Sequence, residues 1–199
     1  MLLKLIFLLT LAAIGSSFTF PKELANGLHI ASYNDAGEEV HQFMGANPFE
    51  NATESELPVF NVARSERQRR RLTKRNFQTW CGCGIQLNTA DTNAANAGLA
   101  NALPYFPTIA WGQILYWVHN TVIVFLYNDV SYGAPITLPG YRSLWVPYFD
   151  QVITEACGLF VPGTVRVLGD IPLDFGYMNY YGSLLQVAEN EEESSASHC

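Results

Sequence analysis

Six stretches within residues 76–199 carry a hydrophobic period of 2 or 3.6, and their order along the chain is regular. Residues 81–87 predict a short strand containing Gly82 and Gly84. Asp91 or Thr92 can cap a helix whose Ala95, Leu99, Ala102 and Leu103 form one apolar face, and Pro104 stops it. Residues 113–118 and 121–127, rich in Val, Ile and aromatics, read as a hairpin about a tight turn at His119-Asn120. Ser143 opens a second helix running through Cys157, with Phe149, Val152, Ile153 and Ala156 at the helical period and Pro147 tolerable only in the first turn. A strand over 164–168 follows Pro162-Gly163, and residues 175–181 can add an edge strand. The order β-α-β-β-α-β predicts an α+β fold: a two-layer split β-α-β-β-α-β sandwich, the ferredoxin-like plait, with an antiparallel sheet and both helices on one face.

The hairpin has two apolar faces. With the turn at His119-Asn120, Tyr116 faces Ile123 and Ile114 faces Phe125, while Leu115, Trp117, Val122, Val124 and Leu126 share the opposite side. Helices on one side can cover only one of them, so Tyr116, Trp117, Val122, Val124 and Leu126 are the candidate binding residues. A second copy of the chain is one candidate occupant. The alternative is that residues 132–141 or the C-terminal tail fold over the second face.

The chain's start changes the picture from a bare domain to an exported precursor. Lys4, the ten-residue apolar run 5–14 and the small residues Gly15, Ser16 and Ser17 predict a signal peptide over 1–17. The run is about half of what a membrane-spanning helix needs, and the apolar stretch 114–127 is also too short and is interrupted by His119, Asn120 and Thr121. A secreted, extracellular product is expected.

Charge divides the rest. Seven of the eleven Lys and Arg fall between Arg64 and Arg75, whereas residues 76–199 hold only Arg142 and Arg166 against ten acids. So acidic a body repels phosphate backbones, which argues against nucleic acid as a partner. Behind a signal peptide, Arg69-Arg70-Arg71 and Lys74-Arg75 read as dibasic processing sites for a kexin-like protease, with cleavage expected after Arg75. Residues 18–75 contain no Cys and no sustained period, and they carry the glycosylation acceptor Asn51 in Asn51-Ala52-Thr53. They are expected to be a propeptide or a disordered linker, ahead of a mature α+β domain over 76–199 with an acidic tail.

All four cysteines, Cys81, Cys83, Cys157 and Cys199, follow Arg75, and an even count in a secreted chain implies two disulfides. Cys81 and Cys83 are unsuited to pair with each other, leaving Cys81 with Cys157 and Cys83 with Cys199, or the swap. The Cys81-Gly82-Cys83 spacing is wrong for a zinc ribbon, so no metal or other cofactor is expected. No nucleophile elbow, zincin helix or phosphate loop is present. His119 reads as a solvated turn residue, and Asp170 with Asp174 is the one carboxylate pair that could serve glycoside hydrolysis. Acids in a Gly/Pro loop more often form turns, so the expectation is that the protein is not an enzyme. Nineteen Phe, Trp and Tyr after Arg75 suit a core first, and glycan or protein recognition where exposed.

The signal peptide, Lys74-Arg75, Trp80-Cys-Gly-Cys-Gly-Ile85, Leu87-Asn88, Asp91-Thr92, Cys157-Gly158, Pro162-Gly163-Thr164, Phe175-Gly-Tyr-Met-Asn-Tyr180 and terminal Cys199 together resemble small secreted effector-like proteins of filamentous fungi. The expected fold is also similar to that of the smut-fungus killer-toxin subunits, on element order and dibasic processing. The resemblance departs at the acidic, Ser-rich residues 189–197 just before Cys199. It implies a virulence-type protein that binds a host or cell-surface protein or glycan without catalysis. The alternatives are a killer-toxin-like antifungal or membrane-active protein, with the hairpin as its active element, and a small secreted hydrolase.

Overall fold

The computed structural model describes residues 18–46, 76–128, 133–138, 142–168, 173–180 and Cys199. The expected signal peptide, Asn51, Lys74 and Arg75 lie outside them. In chain order the elements are β1 (Gly27–Tyr33), β2 (Glu39–Gly45), β3 (Asn76–Cys81), α1 (Thr89–Ala102), β4 (Thr108–Ile109), β5 (Ile114–His119), β6 (Val122–Tyr127), β7 (Ile136–Thr137), α2 (Trp145–Cys157), β8 (Gly163–Leu168) and β9 (Leu173–Asn179). Seven strands make one antiparallel sheet in the order β2-β1-β5-β6-β9-β8-β3, and β4 with β7 forms a separate two-stranded ribbon. The fold is thus α+β, with two α-helices among the described residues.

Local chemistry accounts for the helix ends. Asn88 caps α1, its side-chain oxygen accepting from the Asp91 backbone N–H at 3.1 Å, three residues ahead of the expected start. Ala95, Leu99 and Ala102 are buried as the period required. A 3-10 turn over Arg142–Leu144 leads into α2, whose Pro147 sits in the first turn, where its missing N–H costs no helical bond. Gly158 closes α2 at φ +104°, a conformation that disfavours any side chain. Both helices pack on one sheet face, where Leu99, Phe149 and Ile153 meet Leu115, Val124, Val165 and Phe175.

α1 comes close to the sheet because position 98 is Gly. A Cβ there would lie 2.2 Å from the Trp117 indole. Gly98→Val is therefore expected to lower stability by about 1–3 kcal/mol through overpacking. Thermal unfolding checks it, and an unchanged midpoint would mean that the indole yields freely.

Several expectations change. The strand expected over 81–87 lies at 76–81 as β3; after Cys81 the chain turns, with Gly84 at φ +85°. The strand expected at the edge, β9, lies inside the sheet between β6 and β8, whereas β3 is an outer strand, paired with β8 among the described residues. A four-stranded plait would place its first strand in the interior. The hairpin turn is Asn120-Thr121, with Asn120 at φ +45°, so Tyr116 pairs with Phe125 and Val118 with Ile123. Moving the turn by one residue shifts partners by two, and the two faces keep their members.

The largest departure is at the N-terminus. Residues 18–46 are neither linker nor patternless: β1 pairs with β5 over Gly27↔Val118 to Ala31↔Ile114, and β2 extends the sheet beyond it. The two strands join through Asn34–Gly37, where the Asn34 side chain accepts from the N–H groups of Ala36 and Glu38. Gly27, at φ +133°, lets the backbone pass where a Cβ would meet the Gly45 carbonyl oxygen at 2.4 Å.

Cys81 is bonded to Cys157 and Cys83 to Cys199, the first of the two connectivities open to the sequence. Among the described residues, no helix is long and apolar enough to cross a membrane.

Candidate functional site: the second sheet face

Alternation along β5 and β6 places Leu115, Trp117, Val122, Val124 and Leu126 under the helices. Ile114, Tyr116, Val118, Ile123, Phe125 and Tyr127 share the far side. The candidate binding residues therefore divide between the faces. Tyr116, Val122, Val124 and Leu126 are fully buried and Trp117 is half-buried beneath α1, so none forms an open contact surface.

What covers the far side is the chain's own N-terminal part. Phe18 and Phe20 are buried, Phe18 edge-on to Tyr127 at 5.6 Å and Phe20 edge-on to Tyr116 at 4.8 Å between ring centres. The expected alternatives, residues 132–141 and the tail, do not figure in this cluster among the described residues. Polar contacts fix the cover. The Tyr180 hydroxyl donates to the Pro21 carbonyl at 2.9 Å and accepts from the Leu24 N–H. Asn26 and Asn120 exchange two hydrogen bonds, the Asn120 N–H reaching Asn26 Oδ1 at 2.7 Å. Asn120 and Thr121 are in turn held by the Asp91 carboxylate, which accepts from Asn120 Nδ2 at 2.9 Å and Thr121 Oγ1 at 2.6 Å. These bonds keep the Asp91 carboxyl below its usual range.

Two histidines meet at Tyr116. His29 of β1 stacks on its ring at 5.0 Å and 12°, and His41 Nδ1 of β2 lies 2.7 Å from its hydroxyl. Burial holds the His29 pKa below 6.5, against the opposing hydrogen bond to the Ala25 carbonyl, and His41 adds a smaller lowering push. Glu39, on His41 Nε2 at 2.5 Å, is the acidic group of this cluster, and the same burial raises the Tyr116 pKa. A base kept neutral by folding contributes stability that is present above pH 6.5 and lost as pH falls below it. The melting temperature should therefore drop between about pH 7 and pH 5, and His29→Asn should flatten that drop. Asp150, whose pKa burial raises, acts with the opposite sign, so the difference between the two proteins isolates His29.

Of the candidate catalytic groups, Asp174 is engaged in an ion pair. Asp174, 1% exposed, receives a two-pronged bond from Arg166, Nε to Oδ1 at 2.8 Å and a terminal nitrogen to Oδ2 at 2.6 Å. Arg166 in turn lies 5.4 Å above the Trp80 ring centre. Asp170 is outside the described residues, so no carboxylate pair is on view. His119 ends β5 rather than forming the turn, and its charge contributes only weakly to lowering Asp91. Among the described residues no group of three or more His, Cys, Asp or Glu could hold a metal ion.

The sequence contained one overlooked pointer to this arrangement: two seven-residue runs, 27–33 and 39–45, flank Asn34-Asp35-Ala36-Gly37, a hairpin signal. Phe18 and Phe20 carried none. Comparisons with protein-family models, with curated proteins and with solved structures find no match.

Proposed function

We propose that the chain is a secreted, proteolytically matured, effector-like protein that binds a host or cell-surface component without catalysis. The observation that supports it most is the commitment of Asp174 to Arg166. A hydrolase would need that carboxylate to face substrate and exchange protons, whereas here it holds β8 to β9. Exposed apolar residues on adjoining loops, Ile85 and Leu159 at 49% and 61% exposure, offer contact area beside the disulfides. The likeness to killer-toxin subunits belongs to the same proposal and is supported by the placement of both helices on one face, while the outer position of β3 departs from the plait. Its membrane-active version is less favoured, because the hairpin it would use lies inside the sheet with every residue of β6 buried.

Pull-down from host and fungal surface extracts tests the proposal, with Ile85→Asp/Leu159→Asp as the comparison. Specific capture by the native protein and loss of capture by the variant is the expected result. Glycan hydrolysis, or dye release from vesicles by the native protein, would transfer the case to an alternative.

A further inference from the structure

We propose that the segment 18–46 stays on the sheet after cleavage at Lys74-Arg75, so that the matured protein consists of two chains held together without a covalent bond. The inference rests on the processing reading above and concerns what the cut leaves behind. A propeptide is ordinarily read as material to be discarded. Here the segment is built into the sheet on both sides: Leu28 is buried in the helix-side core, while Phe18, Phe20 and Ala31 are buried in the far-side cluster. Its β1 supplies the neighbour strand of β5, the strand-addition mode by which separate peptides bind sheet edges.

Topology makes the cut compatible with retention. β2 and β3 are the two outer strands of the sheet, so residues 46 and 76 are separated by the other five strands. Cleavage between them severs no ladder among the described residues. It also frees Asn76, the first residue of β3, which still pairs with Leu168. Because 18–75 contains no Cys and both disulfides join residues 81 and beyond, nothing covalent would then hold the segment.

Departure would be unfavourable for the body. It would uncover Ile114, Tyr116, Val118, Ile123, Phe125 and Met178 at once, and would strip the Tyr116 and Tyr180 hydroxyls of His41, Pro21 and Leu24. The β5 edge would lose its ladder as well. A segment making these contacts behaves as a subunit.

The test uses the whole secreted chain. The product is purified natively by gel filtration at micromolar concentration, and the peak is then examined by denaturing, non-reducing mass spectrometry and N-terminal sequencing. Two masses, with one sequence starting in 18–26 and the other at Asn76, are expected. A peak holding only 76–199, monodisperse and free of the segment, overturns retention. An uncut chain would count against the processing reading instead. Retention is then read from a version carrying a viral-protease site after Arg75 and cut in vitro, where co-elution supports it and separation overturns it. Phe18→Ser/Phe20→Ser should speed dissociation of the cut segment at least tenfold, while Phe43→Ser, at an exposed position of β2, should leave it unchanged. Equal dissociation from all three proteins would also overturn the proposal.

Discussion

Replacing Cys81 and Cys157 together by Ser should lower the melting temperature by about 10 °C or more, the largest single effect expected in this protein. The bond closes a loop of 76 residues, for which chain-entropy reasoning gives about 4.5 kcal/mol. It also joins the end of β3 to the end of α2 within the core, both sulfurs being buried, so its removal loosens packing as well. Cys83–Cys199 spans 116 residues and has a similar entropic value, but both of its residues are exposed. Serine at those two positions should therefore be less damaging. Circular dichroism melts of the two double variants check the ranking, and equal midpoints for native and Cys81/Cys157 variants would contradict it.

Arg166→Ala is the second large effect. It leaves the Asp174 carboxylate buried without the guanidinium, and breaking such a pair from one side costs about 3–5 kcal/mol. Arg166→Met/Asp174→Leu removes both charges and should recover most of the loss. Chemical denaturation of the three proteins measures it. If Arg166→Ala is neutral in stability but alters binding or turnover, the pair is functional and the structural role given to Asp174 is wrong.

How much of this was legible in the chain depended on whether the signal was local. The apolar periods of Ala95-Leu99-Ala102 and Phe149-Ile153 located both helices, and alternation in β5 and β6 sorted their faces even though the turn was misplaced by one residue. Pairing across distance was not legible. Nothing in residues 173–179 says that they run between β6 and β8 rather than along an edge. The first strand was drawn toward the cysteines, although Gly82 and Gly84 mark the turn after it. β2 reads Glu-Val-His-Gln-Phe-Met-Gly, with polar residues on both sides, because an outer strand exposes much of its length. The cover over the far face was not legible for the same reason: the covering rings, Phe18 and Phe20, are isolated in sequence and meet their partners only through a ladder more than eighty residues away.

The interior position of β9 sets a timetable for assembly. The polypeptide leaves the ribosome from its N-terminal end, and β1 and β2 exist long before β5, the partner that anchors them. β6 and β8 cannot be bridged until residue 179 has been made, so β2-β1-β5-β6 and β8-β3 stay separate pieces until then. Cys199 can find Cys83 only after that. Closure of the sheet is therefore non-local and slow, and until β9 docks the facing edges of β6 and β8 have no partner in the sheet. On the processing proposed above, a cut after Arg75 made before β1 pairs with β5 would meet a body whose N-terminal strands are not yet anchored, so the order of folding and proteolysis would decide whether the segment is kept.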